Sequence, residues 1–106
     1  MVKRFDIFLL NLDAEFSNDA KNSRPCVVVS PYEINRNIDS VIVAPISSVN
    51  RKYPTRVLFD FLGKERAIVL DQIQTIEKVR LSQKIGEIEP EIQKQILDVL
   101  QEMFVE

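Results

Sequence analysis

The 106-residue chain contains no histidine, no tryptophan, one cysteine and only two glycines. Without histidine, the side chain most often used for proton transfer near neutral pH is missing, and one cysteine cannot build a Cys/His zinc cluster. The two glycines, Gly63 and Gly86, stand too far apart for a glycine-rich phosphate loop. These absences exclude histidine acid–base catalysis, Cys/His zinc sites and P-loop nucleotide binding.

The single cysteine, Cys26, has no second thiol in the chain to pair with and lies in an apolar run. We therefore expect a buried, unreactive thiol. Long hydrophobic runs are missing too, since the run near the start, residues 7–10, is far too short for a signal peptide core or a membrane span. The sequence thus predicts a cytoplasmic protein without membrane contact.

Length and composition indicate a single globular domain covering residues 1–106. Hydrophobic residues make up 45% of the chain and charged residues 28%. The net charge of −2 is unevenly distributed, because residues 1–66 carry ten Lys/Arg against eight Asp/Glu and residues 67–106 carry four against eight. A local basic surplus is compatible with binding a short RNA, whereas scattered Lys and Arg alone usually form only a solvated surface.

The stretch from Arg24 to Pro31 is the best-defined strand in the sequence. Pro25 and Pro31 lack a backbone N–H and bias the residues before them towards extended geometry. The valines between them, residues 27–29, show no polar alternation, which predicts a strand buried on both faces. Arg24 is thereby held at the end of a rigid element, as a functional guanidinium would be, although an arginine that merely flanks a core strand is the alternative.

Other segments complete a mainly β fold. Further strands are predicted at 5–12, 41–46, 55–59, 67–76 and 82–88, separated by polar loops such as 13–23. Pro45 fits only an edge strand or a bulge. The C-terminal segment is predicted to be a helix from Pro90, because apolar residues recur at steps of three and four: Ile92, Ile96, Val99, Leu100, Met103 and Phe104. Five or six short strands and one terminal helix predict a small, strongly bent antiparallel barrel.

Three motifs, in this order and spacing, resemble the MazF/PemK/Kid toxins, the ribonuclease halves of bacterial type II toxin–antitoxin modules. They are RPCVVVSP at 24–31, VAPISS at 43–48 and LDQIQTI at 70–76. The resemblance implies an SH3-like barrel of the CcdB/MazF kind, assembled as a homodimer. It also implies sequence-specific cleavage of single-stranded messenger RNA without metal or other cofactor, which would inhibit translation and growth.

The implied chemistry is attack by a ribose 2′-hydroxyl, leaving a 2′,3′-cyclic phosphate and a 5′-hydroxyl. Arg24 matches the family's catalytic arginine, and a guanidinium suits bidentate binding of phosphate oxygens. Ser47 aligns with a position that is usually threonine and keeps the hydroxyl that would bind the scissile phosphate. The implied RNA-binding residues are Asp19, Ser48, Asp71 and Gln72.

The acceptor of the 2′-hydroxyl proton has more than one candidate. Either a carboxylate, Asp19 or Asp71, accepts it, or catalysis is mainly electrostatic and geometric. Asp71 also has a purely structural interpretation, as a carboxylate that accepts donors at a strand end. The sequence departs from the family pattern at Gln74, where arginine is common, and in the 13–23 loop, where Asp19 and Ala20 replace a Glu-Gln pair and the glycines are lost.

The resemblance further implies a small antitoxin partner, whose disordered acidic tail would occupy the RNA groove. Two other functions compete with the nuclease. An inactive family member would bind antitoxin or RNA without turnover, and the altered loop motivates this reading. A CcdB-like gyrase poison would need a Trp-Gly-Ile-type C-terminus, whereas this sequence ends in MFVE.

Overall fold

The computed structural model describes residues 1–11, 23–49 and 51–105 of the chain. Within these ranges two short 3-10 turns, Leu70–Gln72 and Lys78–Arg80, flank the sixth strand. The predicted mainly β fold with a C-terminal helix is confirmed. Its elements are β1 (Asp6–Asn11), β2 (Ser23–Val28), α1 (Tyr32–Asn37), β3 (Ser40–Ser47), β4 (Arg56–Phe61), β5 (Lys64–Val69), β6 (Gln74–Glu77), β7 (Leu81–Glu87) and α2 (Pro90–Phe104).

The strands form one antiparallel sheet that curls into a barrel. The strand order is β4-β5-β3-β2-β1-β7, and β6 pairs with β3 beside this path. Although β4 and β7 stand at opposite ends of that order, a Cβ built on Gly86 of β7 would lie only 3.3 Å from Cε1 of Phe61 on β4. The two end strands therefore meet through side chains, which confirms the predicted small bent barrel.

Pro45 lies inside the sheet, so its expected place at an edge was wrong. Strand β3 exchanges partners along its length, pairing with β6 at residues 40–43 and with β5 at 46–47. Ile42 turns its carbonyl towards β2, where it accepts the Val29 N–H at 2.9 Å, so strand alternation turns the Pro45 nitrogen to the opposite side. The proline's missing donor thus falls in the gap between β6 and β5.

Strands β2 and β3 are buried on both faces, as the valine run predicts. Val27 and Val29 belong to what we call the inner core, on the side of α2. Val28 belongs to the outer cluster, made of Leu10, Cys26, Val28, Val41 and Val43. The inner core consists of Phe5, Ile7, Val27, Val29, Ala44, Ile46, Val57, Phe59, Ile68, Leu70, Ile88 and Ile96.

Helix α2 covers the inner core with the predicted apolar stripe. Pro90 begins the helix and Ile96 is fully buried. Phe104, predicted to extend the stripe, is instead 72% exposed, because it is the last helical residue and lies outside the inner core. Among the described residues, neither helix is long and apolar enough to cross a membrane.

A buried polar network links the end of β2 to the start of β3. The Asn35 side chain on α1 donates from Nδ2 to the Ser30 carbonyl at 2.8 Å, and its Oδ1 accepts from the Ser30 hydroxyl. The Ser30 Oγ also accepts the Ile42 N–H at 3.0 Å. These bonds satisfy buried polar groups and hold β3 in position beside β2.

Candidate active site

Two adjoining pockets lie where β2, β3, β5 and the Leu70–Gln72 turn meet, and we call them together the Arg24 groove. Both are lined by Arg24, Pro25 and Pro45. One has a volume of about 320 Å³ and is completed by Leu10, Cys26, Val43, Gln72 and Gln74. The other has a volume of about 380 Å³ and is completed by Ile46, Ser47, Ser48 and Arg66.

Arg24 occupies the boundary between the two pockets. It is the second residue of β2, opposite Leu10 of β1, and its side chain is exposed. The Nη1 atom donates to the Ser23 carbonyl at 2.9 Å. The buried valines that follow on β2 anchor the strand, so the guanidinium projects from a rigid base into the groove.

Ser47 is the last residue of β3 and Ser48 follows it. Both line the second pocket together with Arg24. The Ser47 Oγ accepts the Val49 N–H at 3.1 Å, which orients the hydroxyl. A hydroxyl that accepts one bond can still donate its own hydrogen to an anion. Ser48 follows directly and is exposed. The structure therefore brings Arg24, Ser47 and Ser48 around one cavity.

Gln72 reaches the groove because the chain turns where a continuous strand was predicted. The expected strand at 67–76 was wrong: β5 ends at Val69, a 3-10 turn follows, and β6 then pairs with β3. Leu70 is fully buried in the inner core and pins this turn, which leaves Asp71 and Gln72 exposed on the surface. Gln72 lines the same pocket as Arg24.

Asp71 has a different environment from Gln72. Its Oδ1 accepts a hydrogen bond from the Thr55 hydroxyl at 3.0 Å and one from Arg56 Nε at 3.3 Å. The Arg56 contact is the main cause that lowers the pKa of Asp71 below its usual value. The geometry therefore agrees with a carboxylate that accepts donors near a strand end. Asp19, the other predicted acid, lies outside the described residues.

Sequence reasoning missed Arg66 as a groove residue and Arg80 as a residue of a smaller neighbouring pocket. Arg66 enters the second pocket because β5 pairs with the end of β3 through Ser47 and Ala67. Its Nε donates to the Phe61 carbonyl at 3.0 Å, which fixes the side chain. A smaller pocket beside Gln74 adds Arg80. Only their positive charge marked these residues in the sequence, since the approach of Arg66 to Arg24 depends on strand pairing.

Cys26 contributes to the floor of the first pocket yet is only 1% exposed. Burial raises the pKa of its thiol to about 12. The expected burial of the thiol is confirmed, and its low reactivity stays a prediction that the raised pKa supports. Across residues 1–11, 23–49 and 51–105, no group of three or more Asp, Glu, Cys or His side chains is arranged to hold a metal ion.

The curled sheet, the terminal helix and a groove between an arginine and a serine define a small β barrel with one helix and a polar groove. A family model described as PemK-like, MazF-like toxin of type II toxin-antitoxin system matches residues 3–104. This match spans nearly the whole chain. The chain therefore belongs to the PemK-like, MazF-like toxin family.

Individual relatives agree with this membership. Endoribonuclease EndoA of Bacillus subtilis (strain 168) is 34% identical over 107 residues, covering 95% of this chain and 92% of that protein. Mycobacterium tuberculosis toxin MazF-mt6 shares the fold with a TM-score of 0.76 at 22% identity, covering 93% of this chain and 95% of that chain. A MazE-MazF structure from Deinococcus radiodurans gives a TM-score of 0.78 at 18% identity, and the match covers 96% of this chain and 93% of that chain.

Proposed function

We propose that this chain is a toxin endoribonuclease that cuts single-stranded RNA, chiefly messenger RNA, at a specific sequence and without a metal ion. The observation that carries the proposal is the shared pocket of Arg24, Ser47 and Arg66. Two guanidinium groups and a hydroxyl around one cavity suit a phosphodiester, because they supply charge-assisted hydrogen bonds to non-bridging oxygens. The name of the Bacillus relative, an endoribonuclease, supports the same activity.

In the proposed reaction the ribose 2′-oxygen attacks the adjacent phosphorus. A bond forms between the 2′-oxygen and phosphorus while the bond to the 5′-oxygen of the next nucleotide breaks. The products are a 2′,3′-cyclic phosphate and a 5′-hydroxyl, so the proton lost by the 2′-hydroxyl is matched by one gained at the 5′-oxygen. Arg24 and Arg66 would stabilise the charge on the phosphorane, and Ser47 would donate to a non-bridging oxygen.

We propose that proton transfer by a side chain contributes less to the rate than charge stabilisation and alignment do. The Arg56 contact holds the pKa of Asp71 low, so this carboxylate stays ionised and is a weak base. We therefore assign most of the acceleration to charge stabilisation and to alignment of the 2′-oxygen with the leaving oxygen. Asp19 stays a candidate acceptor from the resemblance alone.

The remaining predicted residues would bind the substrate around the cut. Gln72 and Ser48 line opposite pockets beside Arg24, so they are proposed to contact the nucleotides on either side of the scissile phosphate. Asp71 is proposed to support RNA binding through its neighbours. We further propose that the chain acts in the cytoplasm as a homodimer.

A cognate antitoxin is the proposed regulator. One structural relative is described as an endoribonuclease in complex with its cognate antitoxin, with a TM-score of 0.79 at 22% identity. In this chain the two groove arginines, Arg24 and Arg66, and Arg80 in the smaller pocket beside Gln74 would attract an acidic peptide segment by the same charges that attract phosphates. Occupation of the groove by such a segment would exclude RNA.

The first test is cleavage of a long, weakly structured RNA by purified protein in EDTA, with mapping of the cut ends. Cuts at one short recurring sequence, each with a 5′-hydroxyl end, are expected. Arg24→Ala should reduce the rate by roughly 10²-fold or more while the circular dichroism spectrum and unfolding midpoint stay unchanged. Arg36→Ala, which removes an exposed arginine on α1, is the matched control and should cut normally.

Two results would overturn the proposal. Equal cutting by Arg24→Ala would remove Arg24 from the reaction. A correctly folded protein that binds RNA or antitoxin without cutting would instead be the inactive family member considered from the sequence.

A further inference from the structure

A second basic cluster, which we call the Tyr53 patch, lies beside the Arg24 groove. It consists of Arg51, Lys52, Tyr53, Arg56 and Asp71. Arg56 lies over the ring of Tyr53, with 4.7 Å between its guanidinium carbon and the ring centroid. The Arg51 Nη1 donates to the Tyr53 hydroxyl at 3.3 Å. Two guanidinium groups thus contact one tyrosine, and one of them, that of Arg56, also contacts a carboxylate.

Arg56 is held in place from two sides. Its Nε donates to Asp71 Oδ1 at 3.3 Å, and its backbone N–H donates to the Tyr53 carbonyl at 3.0 Å. Thr55 donates to the same Asp71 oxygen at 3.0 Å and so orients the carboxylate. Because a guanidinium has five N–H donors, four remain on its Nη atoms after the Asp71 contact. The arginine is therefore pre-oriented with donors still to offer.

Tyr53 is 41% exposed although Arg56 covers one face of its ring. Unpaired nucleobases stack on exposed aromatic rings, and guanidinium groups beside the ring contribute a cation–π term and a phosphate contact. An acidic peptide would use the cations but not the ring. The combination of ring and cations favours single-stranded nucleic acid as the ligand.

The Tyr53 patch is continuous with the groove at two points. Asp71 directly precedes Gln72, which lines the first pocket with Arg24. Ser48, which lines the second pocket, is followed within a few residues by Arg51. The Leu70 N–H also donates to the Thr55 carbonyl at 3.1 Å, so the turn that presents Gln72 to the groove is bonded to the segment that carries Arg56.

We propose that Tyr53 and Arg56 form a stacking platform that binds one nucleotide of the RNA substrate outside the Arg24 groove. Asp71 is the positioning residue of this platform, since it acts through Arg56. The proposal rests on the proposed function for the identity of the polymer, because the substrate is taken to be single-stranded RNA. It adds a binding site that contributes to affinity rather than to the reaction itself.

Tyrosine fluorescence tests the stacking directly. The chain has two tyrosines and no tryptophan, so Tyr32→Phe leaves Tyr53 as the only strong intrinsic fluorophore. We expect a mixed-sequence 2′-O-methyl RNA 12-mer to quench this fluorescence on binding, because a stacked base quenches tyrosine. A 12-mer of abasic sugar phosphate should bind the cations and quench much less. Because 2′-O-methyl RNA lacks the nucleophile, this measurement needs no turnover.

Substrate affinity gives the second readout. Tyr53→Leu removes the ring and should raise KM about tenfold, with a smaller change in kcat, as one lost base-stacking contact typically costs 5- to 150-fold in affinity. Tyr53→Phe keeps the ring and should retain most of the affinity. Asp71→Asn should raise KM less than Tyr53→Leu does, and the double variant should be no worse than Tyr53→Leu alone.

Tyr32 and Arg36 on α1 provide a matched control. They form a second arginine–tyrosine contact, 5.6 Å from guanidinium carbon to ring centroid, and Tyr32 is 51% exposed. Neither residue lines the Arg24 groove. Tyr32→Leu should leave KM unchanged.

The outcomes separate this platform from the proposed function. An unchanged KM in Tyr53→Leu, or quenching by the abasic 12-mer equal to that by the base-containing one, would overturn the platform while cleavage stands. Stronger quenching by poly-glutamate than by RNA would overturn it in favour of a protein ligand. A wild-type protein that does not cut RNA would overturn the proposed function, and base-dependent quenching would still support the platform.

Discussion

The inner core and the outer cluster bury opposite faces of the same two strands, yet they serve different purposes. The inner core is closed by α2, which packs on β4 and on the Leu70–Gln72 turn and buries Ile96 in the cluster. The outer cluster is thinner, and three of its members, Leu10, Cys26 and Val43, also line the pocket beside Arg24. One face stabilises the barrel, and the other forms the floor of the candidate site.

This difference shows how a chain of 106 residues can keep a rigid groove on a small core. Val27 and Val28 are neighbours on β2, both fully buried, and they point to opposite faces. The strand that carries Arg24 is thus packed from both sides. This packing fixes the backbone from which the Arg24 side chain projects, and catalysis by electrostatic stabilisation depends on such preorganisation.

The largest expected effect concerns Cys26, which tests whether the outer cluster is sealed below the pocket. With its pKa raised from 9.0 to about 12, the native thiol carries about a thousandfold less thiolate at pH 8 than an unperturbed one. We expect a thiol–disulfide reagent to label the native protein at least a hundredfold more slowly than the urea-unfolded protein. A native rate within tenfold of the unfolded rate would show that the pocket opens to the cluster.

The raised pKa of Cys26 also predicts how the stability of the protein changes with pH. The unfolded thiol loses its proton above pH 9.0, whereas the folded thiol keeps it until about pH 12. The unfolded state therefore binds fewer protons in this window, so the contribution of Cys26 makes the free energy of unfolding fall as pH rises from 9 towards 12. Cys26→Ala should remove that part of the pH dependence, which urea unfolding at several pH values would measure.

Two alanine substitutions on α2 test how much this helix stabilises the inner core. Ile96→Ala leaves a cavity under the helix and should lower the free energy of unfolding by about 2–5 kcal/mol. Leu97→Ala, one residue away and 40% exposed, should cost less than about 1 kcal/mol and serves as the control. Urea unfolding followed by circular dichroism measures both. Equal costs would mean that α2 contributes little to the inner core.

A valine-to-alanine substitution made once in the inner core and once in the outer cluster compares the two faces. Val27→Ala removes two methyl groups from the inner core and should cost about 2–3 kcal/mol, whereas Val28→Ala in the thinner outer cluster should cost about 1–2 kcal/mol. Val28→Ala should also have the larger effect on KM for RNA, because it loosens the floor of the pocket. The reverse order in either stability or KM would contradict the division of roles.

The smallest expected effect is at the β4–β5 turn, whose strands contribute to the inner core alone. Leu62 and Gly63 have φ values of 54° and 78°, a left-handed pair that suits Asn-Gly and disfavours leucine. Leu62→Asn should therefore stabilise the protein by about 0.5–1 kcal/mol. Leu62→Val, with a β-branched side chain, should destabilise it. If the turn is strained, thermal unfolding gives a higher Tm for Leu62→Asn and a lower Tm for Leu62→Val than for the unsubstituted protein.

Several features of the candidate site could be predicted from local sequence. Arg24, Ser47 and Ser48 stand at the ends of short apolar strands, and a hydrophobic run bounded by proline or polar residues marks such ends directly. The same local signals did not reveal Arg66, because nothing near it in sequence indicates that β5 reaches the end of β3. Nor did they separate Asp71 from Gln72, adjacent residues whose side chains take different directions from one tight turn.

The sequence by itself determined the elements that depend on neighbouring residues. The strand that carries the valine run and the helix that begins at Pro90 follow from φ restriction and apolar period, which act within a few residues, although β2 begins at Ser23 and so contains Pro25 instead of starting there. The tertiary structure alone decided the exchange of partners along β3 at Pro45, the break at Leu70 and the approach of Arg66 to Arg24. These depend on long-range strand pairing and on burial of Leu70, which are settled only when the barrel closes.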